Sequence, residues 1–458
     1  MRRIASISEG NQMIRSATID PEARENRFQQ LKAEIHEKLI SGIDMAVSRS
    51  VKEDRLREEL RRGAEQLSRM HSDLLSQAER QRLIDELVDE TMGLGPLEPL
   101  MRDPSVSDIL VNGPDCVYVE RGGVLEPTPI KFRDNDHLVD IVRKIAGRVG
   151  RRIDESSPMV DARLLDGSRL NAVIPPLALD GALVSIRRFS TKPITAKSLI
   201  ESNSATPVML DFLAACVRAR MNILISGGTG SGKTTLLNLL SAFVPKEERI
   251  ATIEDAAELR LQQPHVARME TRVSNLEGRG QVTARDLLCN ALRMRPDRII
   301  MGECRGAEAF DMLQAMNTGH DGGMSTIHSN DAREAVHRLE MLVSMAATDL
   351  PMWFIHRQIA SAIHIIVHVT RMPGGERKIV QISEVTGVNG ETVNMHDLFV
   401  YRQTGMDEHG RSQGRFEAKG IIPQCLERLE RRGWKVSRSY FREGVLSDGK
   451  LNGLRGSR

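Results

Sequence analysis

The stretch "SGGTGSGKTT", Ser226–Thr235, limits the fold more than any other part of the chain. Gly227 is followed, after four intervening residues, by Gly232-Lys233-Thr234, the spacing of a P-loop. The stretch follows the apolar run "NILIS" and leads into "LLNLL", so it joins a buried strand to a helix. Gly227, Gly228, Gly230 and Gly232, with Thr229 and Ser231, let backbone N–H groups turn inward around phosphate oxygens. The helix N-terminus adds the positive end of its dipole. Lys233 supplies a point charge to the β- and γ-phosphates. The hydroxyl of Thr234, followed by Thr235, suits Mg²⁺. ATP with Mg²⁺ is the expected ligand.

A strand–loop–helix unit of this kind needs a parallel sheet covered by helices. The alternation continues over about 205–370, with "RIATIED" and "DRIIMGE" as strands and "KTTLLNLLSAFV" and "ARDLLCNALRM" as helices. The fold class is therefore α/β. Residues 1–25 lack apolar periodicity and read as a flexible lead. Over 26–96, Leu31, Ile35 and Leu39 recur four apart amid dense charge, as do Leu56 and Leu60, then Leu83 and Leu87, which predicts a small helical bundle. "GLGPLEPLM" reads as a boundary. Residues 97–190 carry short β-like runs, a turn at Gly122-Gly123 and a helix capped by Asn135 or Asp136, which predicts a mixed α+β domain. Residues 191–204 form a polar linker, and 205–458 the nucleotide domain with a β-rich C-terminal part.

Two further strands end in acid. "ATIEDAAELR" brings Glu254 and Asp255 to a strand end, with Glu258 expected one helical turn on. Acids beside a P-loop suit magnesium or its bound water, so Glu254 joins Thr234 as a candidate metal ligand. "PDRIIMGECRG" ends in Gly302-Glu303. Gly302 stands where many P-loop enzymes carry an Asp, and Glu254 and Asp255 can compensate. Glu303 is placed to orient or deprotonate the attacking water. "TGHDGGMSTIHSN" holds His320 and His328 among glycines and hydroxyls, an arrangement suited to sensing a γ-phosphate.

Composition excludes other classes. Lys+Arg total 64 and Asp+Glu 62, a net of +2, and aromatics are 3%, so neither phosphate-backbone binding nor base stacking is indicated and no nucleic acid is expected. The five cysteines are odd in number and form no CxxC pair, which argues against a disulfide framework or a zinc cage. No run approaches the length of a membrane span; "IASAIHIIVHV" is too short and contains His364 and His368. The reading is a cytoplasmic protein with peripheral membrane contact.

Together, the P-loop, "TIED", "IIMGE" and "GHDGGMSTIHSN" resemble the secretion ATPase superfamily, the motors of type II and type IV secretion, type IV pili and archaella. "GLGPLEPLMRDPSVSDILVNGPDCVYVERGG", "GRRIDESSPMVDARLLDGSRLNAVIPPL" and "VSIRRF" are similar to the CpaF-type ATPases of Tad pilus systems. The resemblance runs from about Leu83 to Gly420. It implies a RecA-like ATPase domain preceded by a PAS-like α+β domain, assembled as a homohexamer. Such motors lie at the inner face of the cytoplasmic membrane beneath inner-membrane platform proteins and drive pilus assembly, with retraction left open. The alternative is a type IV secretion ATPase exporting DNA or protein. The resemblance also implies arginine fingers from the preceding domain. Arg169 and Arg163 match that region, and Arg187 and Arg188 lie nearer the linker.

Overall fold

The computed structural model describes residues 21–41, 53–71, 75–188, 194–272, 274, 279–408 and 410–446. Most of the expected flexible lead, and the linker as far as residue 193, fall outside these residues. Contacts divide the chain into two units, the first drawn from Met1–Val119, Glu126–Leu164 and Leu170–Ile186 and the second from Glu120–Leu125, Leu165–Arg169 and Arg187–Arg458.

In the first unit, helices α1 (Pro21–Ser41), α2 (Glu53–Arg69) and α3 (Gln77–Met92) bury a stripe that includes Phe28, Ile35, Leu60, Leu83 and Leu87. α1 begins earlier than its periodicity suggests because its first turn, Pro-Glu-Ala-Arg, has no large apolar residue. Ser76 starts α3 with a capping box, its hydroxyl accepting from the Glu79 N–H while the Glu79 carboxylate accepts from the Ser76 N–H. The "GLGPLEPLM" segment holds a 3₁₀ turn at Gly95–Leu97 and the short α4 (Glu98–Arg102). Strands β1 (Val106–Asn112), β2 (Val117–Arg121) and β3 (Val124–Pro127) precede α5 (Asn135–Arg148). β4 (Met159–Arg163), β5 (Arg169–Val173) and β6 (Leu183–Arg187) complete a six-stranded sheet in the order β3-β2-β1-β6-β5-β4. Leu138, Ile141, Val142 and Ile145 of α5 enter its core. The α5 cap is Asp134, not Asn135 or Asp136, because Asp134 has the extended backbone a cap requires and its carboxylate accepts from the His137 N–H at 2.7 Å. Asn135 is used elsewhere, accepting from the Ala182 N–H.

The second unit opens with α6 (Ala196–Glu201) and α7 (Pro207–Arg218), then β7 (Ile223–Gly227), α8 (Lys233–Ser241), β8 (Ile250–Glu254) and β9 (Val266–Glu270). α9 (Ala284–Ala291), β10 (Arg298–Cys304), α10 (Glu308–Asn317), β11 (Met324–His328), α11 (Ala332–Ala346), α12 (Met352–Ala362) and β12 (Ile365–Arg371) follow. The chain then runs through β13 (Arg377–Asn389), β14 (Thr392–Met406), β15 (Ser412–Ala418), α13 (Cys425–Arg431) and β16 (Gly444–Val445). All ten strands form one sheet, ordered β16-β15-β14-β13-β12-β7-β11-β10-β8-β9. From β12 to β9 every pairing is parallel, and β13 to β16 extend the sheet antiparallel. One apolar layer packs α7, α8 and α13 on one face through Phe212, Leu237 and Leu429, and another packs α9 to α12 on the opposite face through Leu288, Leu313, Leu339 and Ile359. Burial on both faces is why β7 and β8 read as largely apolar runs without polar alternation. This is an α/β, RecA-like architecture with a helical N-terminal region. No described helix is long and apolar enough to cross a membrane.

Candidate nucleotide site

β7 is wholly buried and ends at Gly227, from which the loop turns into α8 at Lys233. Only glycine serves at position 227: its φ is +155°, and a Cβ there would run into the Val369 carbonyl oxygen of β12. Lys233 Nζ donates to the carbonyls of Gly227 and Gly228, both at 2.9 Å, and Ser231 Oγ donates to Gly228 O at 2.9 Å. Burial holds the Lys233 ammonium below the usual lysine value, against the pull of the Glu303 carboxylate. A cation that leans on its own loop's carbonyls while partly desolvated is poised to exchange them for phosphate oxygens.

Glu254 ends β8 and is only 3% exposed. Its Oε2 accepts from the backbone N–H groups of Glu258 and Leu259, both at 2.7 Å. Residues 255–260 form bends and irregular chain rather than the expected helical turn, because the Glu254 carboxylate holds the amides of Glu258 and Leu259 itself. Glu254 Oε1 is buried without a hydrogen-bond partner among the described residues. Burial raises the Glu254 carboxyl above its ordinary value in spite of the two amides. Glu258, not Glu254, is the carboxylate brought to the P-loop: its Oε2 lies 3.5 Å from Thr234 Oγ1. Its Oε1 accepts from Arg169 Nη1 at 3.0 Å, Arg169 being grouped with this unit. Asp255 is exposed, 3.4 Å from Thr271 Oγ1 and 3.9 Å from Arg305. Thr234 and Glu258 fit a nucleotide-carried magnesium, which takes one or two carboxylates and leaves its other positions to phosphate and water. No described cluster of three or more acidic, His or Cys side chains forms a self-sufficient metal cage.

Glu303 sits near the end of β10, where the pairing with β11 shifts register between Met301 and Cys304. Such a bulge re-aims a side chain at the end of a strand. Its carboxylate is paired with Arg305, with 2.6 Å to Nη2 and 2.8 Å to Nε. Gly302 is covered by Glu254: a Cβ at 302 would stand 3.1 Å from Glu254 Cγ. The side chain absent from β10 is thus replaced in space by one from β8.

His328 ends β11 exposed, and its Cα partner across the ladder is Gly227. His320 does not join it. It precedes the opposite end of β11, and the intervening five-residue strand spans about 16 Å. The two histidines therefore do not share one site: only His328 stands at the end of β11 that adjoins the loop. Arg163 ends β4 and groups with the first unit.

Three neighbours of the loop carried no sequence signal. Arg377 Nε donates to Gly230 O at 2.9 Å, and Arg371, its partner across the β12–β13 ladder, approaches Gly230. His368 on β12 reaches Ser226. All three depend on the register of strands remote in sequence.

The model of the family described as "Type II/IV secretion system protein" matches residues 90–426. A putative conjugal transfer protein of Mycobacterium tuberculosis is 39% identical over 310 residues, covering 66% of this chain and 88% of that protein. The type IV secretion system protein VirB11 of Brucella suis is 31% identical over 303 residues, covering 60% of this chain and 84% of that protein. The crystal structure of the VirB11 ATPase from the Brucella suis type IV secretion system, in complex with sulphate, matches with a TM-score of 0.35 at 29% identity, covering 65% of this chain and 97% of that one. The chain belongs to the type II/IV secretion system protein family and is an ATPase of that family.

Proposed function

We propose that the chain hydrolyses ATP with magnesium to drive a secretion machine, working as a homohexamer against the inner face of the cytoplasmic membrane. The observation that carries this reading is the convergence of Lys233, Thr234, Glu258 and Arg169 at one loop, with Glu303 acting electrostatically on Lys233. Lys233 trades the carbonyls of Gly227 and Gly228 for the β/γ-phosphates, and the loop's N–H groups hold the rest of the chain of phosphates. Magnesium, when bound with the nucleotide, neutralises phosphate charge; Thr234 and Glu258 are the residues to hold it, with Glu254 bracing the backbone that carries Glu258. Glu303 takes or orients the proton of the attacking water once it separates from Arg305. Arg169 is the first candidate finger, moving from Glu258 to the γ-phosphate, and Arg163 the second. His328 reports whether that phosphate is present.

Relatives named for conjugal transfer and type IV secretion support export of DNA or protein, and we put that reading first. Tad-type pilus assembly through an inner-membrane platform, with retraction open, is the second reading, favoured by "VNGPDCVYVERGG" and "GRRIDESSPMVDARL". Deleting the gene and scoring both substrate transfer and surface pili separates them. Loss of transfer with pili intact supports export. Loss of pili with transfer intact overturns it in favour of pilus assembly. Purified wild-type protein that releases no phosphate from Mg-ATP would remove the motor altogether.

A further inference from the structure

The imidazole of His368 is buried directly beneath the phosphate loop, at 3% exposure. It lies on β12, whose parallel ladder with β7 pairs His368 with Ser226, the residue immediately before Gly227. Paired residues on parallel strands face the same side of the sheet, and here Nδ1 of the ring stands 2.8 Å from Ser226 Oγ, both side chains being buried. On its other edge, Nε2 is 3.2 Å from Thr370 Oγ1. β7 also pairs Ser226 with Ile327 of β11, the residue before His328, and the ring feels the charge of Asp331 and Glu334, residues in the turn that leads from β11 into α11. His328, at the end of that strand, is two residues away from Asn330.

One ring therefore touches the base of the P-loop at the residue that pairs with Ile327, next to His328. Burial holds the imidazole below its usual value, so it is neutral, with one nitrogen donating and the other accepting. Ser226 and Thr370 must therefore each supply the role that matches its ring nitrogen. The backbone of the same strand reinforces the junction, because the Val369 carbonyl fills the space beside Gly227. Nothing here gives His368 access to a nucleotide.

We propose that His368 is a positioning residue that joins Ser226 at the foot of the P-loop to the His328–Asn330 segment, so that movement of one resets the other during turnover. The proposal rests on ATP hydrolysis at the P-loop, and wild-type turnover in the same assay tests that reading separately.

Steady-state hydrolysis of Mg-ATP by the full chain, with a thermal melt for each protein, tests it using His368→Phe, His368→Asn, Ser226→Ala and the Phe/Ala double variant. His368→Phe and Ser226→Ala should each lower kcat about tenfold, the rate equivalent of one net hydrogen bond, with KM for ATP within about twofold. His368→Asn, whose side-chain amide can stand in for Nδ1 as donor or acceptor, should keep kcat within about threefold of wild type. The double variant should be no slower than either single, because both remove the same connection. Unchanged kcat in Ser226→Ala overturns the proposal. So does multiplication of the two single effects, or an Asn variant as slow as the Phe variant. If His368→Phe fails to fold, Ser226→Ala and His368→Asn still decide the matter. A lower melting temperature with normal kcat marks His368 as packing only.

Discussion

Gly302 offers a direct test of why β10 lacks the usual acid. Alanine there sets its Cβ 3.1 Å from Glu254 Cγ, inside the roughly 3.5–4.0 Å at which two carbons attract. One of them must give by several tenths of an ångström. Glu254 is badly placed to do so: it is buried, and its Oε2 is held by the N–H groups of Glu258 and Leu259 at 2.7 Å each. β10 is also fixed, since Thr326 Oγ1 donates to Gly302 O at 2.7 Å between β11 and β10. The strain therefore falls in the range of an overpacked core, about 1–3 kcal/mol. For a domain of this size each kcal/mol moves the melting temperature by about 2–4 °C, so Gly302→Ala should melt about 2–12 °C lower. Gly302→Asp should melt lower still, because it brings a second carboxylate against one that burial already disfavours in its charged form. The assay is a thermal melt paired with ATP turnover. Gly405→Ala serves as the control, since nothing lies within 4 Å of a Cβ there. A Gly302→Ala protein melting within a degree of the control, or a Gly302→Asp protein turning over faster than wild type, would refute the idea that Glu254 occupies the place of the missing acid.

Lys233→Ala should lower turnover by about 10²-fold or more and weaken nucleotide binding, since it removes the loop's phosphate-facing charge; wild-type phosphate release by the variant would contradict the site. Glu303→Gln should still bind ATP, read by a fluorescent analogue, while turnover falls about 10²-fold; poor binding with normal turnover of what is bound would make Glu303 a binding residue. Arg169→Ala should cost at most about 1 kcal/mol of stability, its pairing with Glu258 being partly exposed, yet lower turnover at least about 10²-fold; undiminished turnover would pass the finger role to Arg163. Glu254→Gln should flatten part of the pH dependence of stability. The folded carboxyl keeps its proton to a higher pH than the unfolded one, so its contribution falls as pH rises from the unfolded glutamate value, about 4.3, through the raised folded value. A melt series with the same slope in both proteins would show that Glu254 is not the group responsible.

The parts of this fold that were legible in the sequence are those whose signal is local. The P-loop carries its geometry within one strand, one turn and one helix. β7 and β8 declare themselves because burial on both faces leaves them without an exposed position. The α5 cap went to Asp134 for a reason equally local, but one that spacing does not resolve: three consecutive residues, Asp134, Asn135 and Asp136, all have cap-forming side chains, and only backbone conformation selects among them.

What spacing could not convey is which side chain reaches which neighbour once the strands align. "TIEDAAEL" reads as a strand end followed by a helix start, and the acids suggest a shared metal site. In the folded chain the Glu254 carboxylate takes the amides of Glu258 and Leu259 for itself. That choice keeps the segment out of a helix, turns Glu258 toward Thr234 and Arg169, and lays Glu254 over Gly302. The glycine in β10 and the glutamate in β8 are thus one adaptation written at two places in the sequence. The histidine box divides by the same logic. β11 pairs with β7 in parallel from Met324 with Ile223 to His328 with Gly227, so only the residue at its far end arrives beside the loop. His320 is left at the opposite edge, where the next residue, Asp321, accepts from Arg428. A motif that is continuous in sequence can serve a phosphate only at the strand end that faces it, and in a parallel sheet that end is the carboxyl end, where β7, β8, β10 and β11 deliver Gly227, Glu254, Glu303 and His328.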